Sequence, residues 1–495
     1  MGITDRRNVP SVIDTTVVDA DVEADSEADN AFSSHVLRKI DLRLMPLLFI
    51  TYNLNFMDKT ILSSAAVFGL EEDTHLKGSQ YSWVSSIFYF GYLFWQYPTS
   101  VLIQKLPVGK YVSVNTLFWG TVVALTAACT NFGGLLAVRF LLGVAEATIS
   151  PAFLFITSMW YTREEVPTRV GIWFSGNAIG GIFASFIAYG IGHIERPFSP
   201  WRWLYIILGV ATFIWGWVLL AFLPDSIMSA KFLTEEQRKV AEGRVQAAGT
   251  GKGKSSWKTS QITECLLDPK TFFFVGISLL AQIPNGGTQN FGNLVLKGFG
   301  FTSLQTTLVT LPASVISFTV ILITGRLSSE FQNVTTYLLI IVVIFPVIGS
   351  AIIYTNVSKG LNLFAYYLLS TGPGALPLSM SLVGVNYKGS TKKLTMSALL
   401  FIAYCTGNIC GPLFFKSSEA PHYHTAFRAI IICYSFVIIL ALGLRVYLVL
   451  VNRWRDEIES NEGRNTETEL LIGDEQADNK DDVTDLRARG FRYRM

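Results

Sequence analysis

The sequence predicts an all-α membrane protein with twelve transmembrane helices arranged in two halves of six. Half of the 495 residues are apolar and only 15% are charged, a balance that excludes an ordinary soluble multidomain protein. The apolar residues fall into runs of about 20 residues, the length that an α-helix needs to cross a bilayer. A long polar segment divides these runs into two equal sets, which predicts the two halves.

The predicted spans follow from these runs in chain order. Spans 1 to 6 cover approximately 44–68, 80–103, 111–130, 133–159, 169–192 and 202–223. Spans 7 to 12 cover approximately 271–296, 304–325, 335–355, 361–385, 395–416 and 425–450. The predicted domains are therefore an N-tail at 1–36, an N-terminal half at 37–223, a central loop at 224–270, a C-terminal half at 271–451 and a C-tail at 452–495.

Charge distribution predicts the orientation of the chain. Lys and Arg are enriched in the central loop, beside both tails and in one alternating set of short loops, so both termini are expected in the cytoplasm. The N-tail is polar and acidic and cannot bury a core, which predicts disorder. It has no signal-peptide pattern, so the first span is expected to direct insertion, most simply into the plasma membrane.

Composition also excludes several functions. The net charge of +2 gives no basis for nucleic-acid binding. The five cysteines lie mostly in apolar spans, so we predict neither disulfides nor a metal site, and no cofactor motif is present. The sequence contains no nucleophile–base set of the kind that would predict an enzyme. We expect a monomer in the lipid bilayer.

Four charged residues lie inside predicted spans. Arg139 and Glu146 in span 4 are about 20° apart around a helix and roughly 10 Å apart along it, while Asp58 and Lys59 lie at similar depth in span 1. Intramembrane charges cost several kcal/mol and usually face a cavity. We hypothesise that Asp58 and Glu146 carry protons and that Lys59 and Arg139 bind a substrate carboxylate. The alternative is that these residues form ion pairs that only fix helix register.

Polar residues in other spans are further candidates for substrate binding. Span 7 contains a glycine-broken polar stretch, and broken helices offer ligand sites; the alternative is close packing with amides bonded across helices. The candidates are Asn285 and Gln289 in span 7, Asn408 in span 11, Tyr89 in span 2 and Asn177 in span 5.

A weak internal repeat relates the two halves. Span 4 aligns with span 10, so that Tyr161 matches Tyr387 at identical spacing from a proline, and a basic loop follows each tyrosine. The positions that match Arg139 and Glu146 are Ala365 and Gly372. Two parallel six-span repeats are typical of transporters whose halves rock about a central site, and here the charges belong to the N-terminal half.

Several motifs in order along the chain resemble the major facilitator superfamily, and within it the anion:cation symporters of the fungal branch related to allantoate permease. They are Asn55-Phe-Met-Asp58-Lys59-Thr60, Phe88-Tyr89-Phe90-Gly91-Tyr92, Arg139-Phe-Leu-Leu-Gly143-Val-Ala-Glu146, Leu223-Pro224-Asp225-Ser226, Asn285-Gly286-Gly287 and Gly407-Asn408-Ile-Cys-Gly411-Pro412. One departure lies in the loop after span 2, which lacks the acidic residue usual in the superfamily. The resemblance assigns gating to this loop and its repeat, at Lys105, Gly109, Lys110 and Arg326.

The resemblance implies a proton-coupled symporter that imports a small organic anion by alternating access. Allantoate, ureidosuccinate, nicotinate, related vitamins and small peptides are the implied substrates. One alternative is a drug or metabolite exporter that works by proton antiport, although span 5 lacks the antiporter signature. A second alternative, of a different class, is a nutrient receptor that does not transport.

Overall fold

The computed structural model describes residues 15–162, 164–194, 196–247, 258–355, 358–466, 483–488 and 490–495. These residues form eighteen α-helices and no β-strand. The helices are α1 (Thr15–Val67), α2 (Leu70–Asp73), α3 (Gln80–Lys105), α4 (Val108–Thr126), α5 (Phe132–Glu146), α6 (Ile149–Trp160), α7 (Val166–Phe174), α8 (Gly176–Ile191), α9 (Pro200–Phe222), α10 (Glu235–Ala247), α11 (Thr259–Leu267), α12 (Pro269–Gly298), α13 (Ser303–Glu330), α14 (Thr335–Thr355), α15 (Lys359–Leu369), α16 (Ala375–Asn386), α17 (Ser390–Cys410) and α18 (His424–Thr466).

These helices supply the twelve predicted spans in the predicted order. Spans 1, 2, 3 and 6 are α1, α3, α4 and α9, and spans 7, 8, 9, 11 and 12 are α12, α13, α14, α17 and α18. Spans 4, 5 and 10 each consist of two helices, α5–α6, α7–α8 and α15–α16. By length and apolarity alone, eight spans in the described part of the chain are long and apolar enough to cross a membrane, or nine if α11–α12 is counted as one bent span. The remaining spans 1, 2 and 3 contain more charged and polar residues.

Spans 2 and 4 approach each other backbone to backbone. A methyl group on Gly143 would lie 1.9 Å from the Phe88 carbonyl oxygen, and one on Gly91 would lie 2.1 Å from that of Phe140. Neither distance leaves room for a side chain, so glycine is required on both helices. This contact holds the aromatic residues of span 2 against the charged face of span 4.

Hydrogen bonds close one mouth between the two halves. We call the side of the molecule that carries α10 and α11 the loop side and the opposite side the far side. On the far side, Tyr81 donates to the Asn290 carbonyl at 2.9 Å and Ser86 to that of Ile409 at 2.7 Å. The side chain of Asn293 reaches Ser64 at 3.1 Å. These contacts join spans 1 and 2 to spans 7 and 11.

The segments between and beyond the spans have more structure than the sequence predicts. Helix α1 begins at Thr15, inside the segment expected to be disordered, and the Ala and Glu of this acidic stretch favour helix. The central loop contains α10 and α11, and its end differs by two residues because α12 already begins at Pro269. In the predicted C-tail, α18 continues to Thr466, and residues 483–488 and 490–495 pack against the C-terminal half.

Candidate functional site

A buried ion pair joins spans 1 and 4 at the centre of the N-terminal half. The Lys59 ammonium lies 3.3 Å from Glu146 Oε2, and the carboxylate is fully buried whereas the lysine keeps 18% of its side chain exposed. Asn55, one helical turn before Lys59, donates its amide to the same carboxylate oxygen at 2.9 Å and accepts from Lys59 at 3.1 Å. The other oxygen, Glu146 Oε1, accepts no hydrogen bond from the described residues.

Asp58 is the second buried acid, and it is without a hydrogen-bond donor. Its side chain is 1% exposed, and neither carboxylate oxygen has a partner among the described residues. The indole N–H of Trp119 in span 3 faces this carboxyl without meeting hydrogen-bond geometry, and it too is unpaired. Asp58 and Lys59 do not pair with each other, since Lys59 bonds to span 4.

Arg139 does not pair with Glu146, although the two residues share a face of span 4. Its guanidinium donates to the Tyr205 hydroxyl of span 6 at 2.5 Å and stacks over that ring at 5.6 Å. The Nε atom is buried without a partner, and the described residues place no carboxylate within ion-pair distance. Arg139 therefore remains a buried cation with hydrogen-bonding capacity to spare.

Arg139 and Lys59 both border a small internal cavity. The side chains around it come from spans 1, 2, 4 and 7 and thus from both halves. They are Lys59, Leu62, Ser85, Phe88, Tyr89, Arg139, Gln289 and Asn290. In this state the cavity has room for about one water molecule. Two cations, two amides and aromatic side chains line it, and cations and amides are donors that bind a carboxylate.

An aromatic layer from both halves covers the cavity region. Tyr89 of span 2 meets Tyr404 of span 11 with ring centroids 6.0 Å apart, and Tyr92 stacks on Phe401 at 5.3 Å. The Lys59 ammonium lies 5.6 Å from the Tyr92 centroid. The aromatic residues of span 2 thus face the opposite half and the lysine.

The amides of spans 7 and 11 bond mainly to each other. Asn408 is fully buried and donates to Gln282 at 3.2 Å, and Asn285 donates to Asn408 at 3.3 Å. The methyl position of Gly286 would lie 2.7 Å from the Asn408 Cα. This geometry matches the packing alternative for Asn285 and Asn408, whereas Gln289 borders the cavity.

The remaining candidates lie toward the loop side. Asn177 of span 5 is half-buried and faces the hydroxyl of Tyr52, which itself contacts Ser150 at 3.3 Å. The sequence gives no reason to select Tyr52 as a site residue, because an isolated tyrosine in a span is usually a packing residue.

The predicted gating residues occupy the loop-side ends of spans 2, 3 and 8. Lys110 pairs with Asp225 at 3.8 Å, and the Gly109 methyl position would lie 2.9 Å from the Leu223 carbonyl oxygen. The loop itself lacks the acidic residue usual in the superfamily, and Lys110 pairs instead with Asp225 just after span 6. Lys105 is exposed, and Arg326 pairs within its own helix with Glu330 at 2.7 Å.

Two residues that organise the charges were not singled out from the sequence. Asn55 stands one turn from Lys59, a spacing that signals contact, but an amide in an apolar run has no distinct pattern. Tyr205 lies 66 residues from Arg139, and no local sequence pattern indicates that the two residues pair.

The fold and this central cavity define a membrane transporter built from two helical halves. The family model described as Major Facilitator Superfamily matches residues 48–412, and the chain belongs to that superfamily. It is a transporter and not an enzyme.

Its relatives include several fungal transporters. The chain is 35% identical to an uncharacterized transporter of Schizosaccharomyces pombe, over 96% of this chain and 92% of that protein. It is 34% identical to the allantoate permease of Saccharomyces cerevisiae, over 92% of this chain and 86% of that protein. It is 30% identical to a thiamine pathway transporter of the same yeast, over 97% of this chain and 90% of that protein.

Solved structures share the fold at low sequence identity. A bacterial homolog of the human lysosomal transporter Spinster, inward-facing and occupied, superposes with a TM-score of 0.64 at 14% identity, covering 82% of this chain and 96% of that one. A D-xylose–proton symporter gives 0.60 at 13% identity, covering 81% and 97%.

Proposed function

We propose that the protein is a proton-coupled symporter that imports a small organic anion. The observation that carries this proposal is the Lys59–Glu146 pair, in which a fully buried acid holds the cation that borders the cavity. A substrate carboxylate and Glu146 then compete for one ammonium group. Protonation of Glu146 would release Lys59 to the substrate, and loss of the proton would expel the substrate.

Arg139 supports the same proposal from the other side of the cavity. A buried guanidinium whose Nε is unpaired has donors available in a planar arrangement that suits a carboxylate. With Lys59 it would supply two cations to one anion. The hydroxyl of Tyr205 would keep the guanidinium in place between transport cycles.

Asp58 is the second proposed proton carrier. Keeping a buried carboxylate charged without hydrogen-bond donors costs several kcal/mol, and neither oxygen of Asp58 has a partner among the described residues. Together with Glu146 it gives a site whose charge can follow the opening of a water path. Symport then needs no partner beyond substrate, protons and the bilayer, and we propose a monomer.

Substrate class and direction follow from different observations. Two cations around a small cavity favour a monocarboxylate or ureide, in keeping with the similarity to an allantoate permease. The enrichment of Lys and Arg on the loop side favours a cytoplasmic position for that side and for both termini, with residence in the plasma membrane. The far side, which would then face outward, is closed by hydrogen bonds in this structure.

Uptake into proteoliposomes tests the proposal. Purified protein is reconstituted and supplied with labelled monocarboxylates, ureides and vitamins, thiamine included, with and without an inward proton gradient. We expect accumulation of one carboxylate class only with the gradient, together with proton entry. Gradient-driven efflux instead would indicate an exporter, and substrate binding without flux would indicate a receptor; either result overturns the proposal.

A further inference from the structure

Residues 483–488 and 490–495 fold back onto the loop side of the C-terminal half. Asp485 inserts its carboxylate between Lys270 at the start of span 7 and Lys392 at the start of span 11, bonding to Lys270 and lying 3.0 Å from Lys392. The side chains of all three residues are fully buried. We call this segment the strap.

Two further acids complete the charge cluster around the lysines. Asp268 lies 2.6 Å from Lys270 and 2.9 Å from Lys392, and Glu264 of α11 lies 2.9 Å from Lys392. Glu264 keeps 15% of its side chain exposed. Without Asp485, two buried ammonium groups would share one buried carboxylate and one at the surface.

At the repeat-related position in the N-terminal half, the cation finds its anion within that half. There Arg169 pairs with Asp41 of span 1 at 2.8 Å and lies over the ring of Tyr161 at 5.1 Å. In the C-terminal half the repeat-related Tyr387 has two cations over its ring, Lys270 at 4.5 Å and Lys392 at 5.6 Å. The cation–ring arrangement is repeated, but the C-terminal half depends on the strap for one anion.

Further bonds tie the strap to other spans. Tyr493 donates to Asp485 at 2.8 Å and exchanges hydrogen bonds with Asn452 of span 12 at 2.8 and 3.0 Å. Arg494 exchanges two with Asn386 of span 10, at 2.8 and 2.7 Å. The Met495 carbonyl accepts from the backbone of Thr335, at the start of span 9, at 3.1 Å. The strap thus contacts the loop-side ends of spans 7, 9, 10, 11 and 12.

We propose that residues 483–488 and 490–495 form a built-in strap, latched by Asp485, that holds the loop-side ends of the C-terminal half together as one rigid body. A transporter whose halves rock needs each half to move as a unit. Release of the strap leaves uncompensated buried charge, which strongly destabilises a structure. The strap lies at the loop-side ends of the spans, remote from the cavity, and its role does not depend on which substrate is carried.

A double-mutant cycle on the full chain tests the latch. Thermal unfolding is measured in detergent for the wild type, Asp485→Asn, Lys270→Met and the double variant. We expect each single change to lower Tm by several degrees and the double change to lower it by clearly less than the sum, because the two groups compensate each other. Strictly additive losses would overturn the proposal.

A matched control and a second readout keep the result specific. Asp456→Asn removes another carboxylate that pairs with the strap, at Arg492, but Asp456 is 63% exposed, so its Tm should stay near that of the wild type. Trypsin should cut after Arg487 faster in Asp485→Asn than in Asp456→Asn. Equal cutting rates in these two variants would show that Asp485 does not latch the strap.

Discussion

Lys59 of span 1 pairs with Glu146 of span 4, and Arg139, on the same helix face as Glu146, does not. The four intramembrane charges thus divide into one ion pair, one lone acid and one cation held by a tyrosine. An ion pair between neighbouring spans can be exchanged for an ion pair with a substrate. This exchange is the centre of the proposed mechanism.

Replacing Lys59 by Gln should raise KM for the anion strongly. Loss of a charged hydrogen-bonding partner costs about 1.5–3 kcal/mol, which corresponds to roughly 10–100-fold in affinity. Initial uptake rates over a substrate range measure the effect. Lys416→Gln, an exposed lysine on the far side, is the matched control and should leave KM unchanged; an equal change in both variants would contradict a role of Lys59 in the site.

Removing the Tyr205 hydroxyl should affect binding through Arg139. In Tyr205→Phe the guanidinium loses its hydrogen-bond acceptor, so its position becomes less defined and KM should rise by about 10-fold. Tyr205 is a positioning residue, so Tyr205→Phe should leave the pH optimum of uptake in place. A shifted pH optimum with unchanged KM would assign Tyr205 to proton transfer instead.

Gly143→Ala should destabilise the contact between spans 2 and 4. Its methyl group would overlap the Phe88 carbonyl, and overpacking costs about 1–3 kcal/mol. Gly171→Ala is the control, because open space surrounds that position in α7 and alanine favours a helix by about 0.5–1 kcal/mol. In thermal unfolding, the Tm of Gly171→Ala should equal or exceed that of the wild type, and the Tm of Gly143→Ala should lie well below it.

The contribution of the strap should persist through mild acid. Burial by itself raises the pKa of Asp485, but the charge and hydrogen bond of Lys270, aided by Lys392, outweigh burial and hold this pKa below its usual range. The charged groups that face Asp485 are Lys270, Lys392, Asp268, Glu264 and Arg455, with the Tyr493 hydroxyl.

A carboxyl whose pKa is lowered on folding stabilises the protein above its unfolded pKa of about 3.9 and loses this effect as the pH falls through the folded value. The Tm difference between the wild type and Asp485→Asn should therefore be constant from about pH 8 to about pH 5. A difference that already disappears within this range would contradict the assignment.

The sequence alone predicts the spans, the halves and the group of candidate charges. Apolar runs and intramembrane charges are local signals, and the bilayer makes both of them strong. Which charges pair is a property of helix packing: Glu146 reaches Lys59, 87 positions away, only because spans 1 and 4 are adjacent. Pairings such as Arg139 with Tyr205, or Asp485 with Lys270 across 215 positions, leave no local pattern, and a polar C-tail gives no sign that it packs.

The most direct test of the account is uptake by Glu146→Gln in proteoliposomes. Wild-type protein and Glu236→Gln, an exposed control on the loop side, should accumulate the anion when protons are supplied from outside. With Glu146→Gln we predict that gradient-driven accumulation falls to equilibration while exchange of internal for external substrate continues, because the neutral amide leaves Lys59 free but carries no proton. Unchanged gradient-driven accumulation by Glu146→Gln would contradict the account.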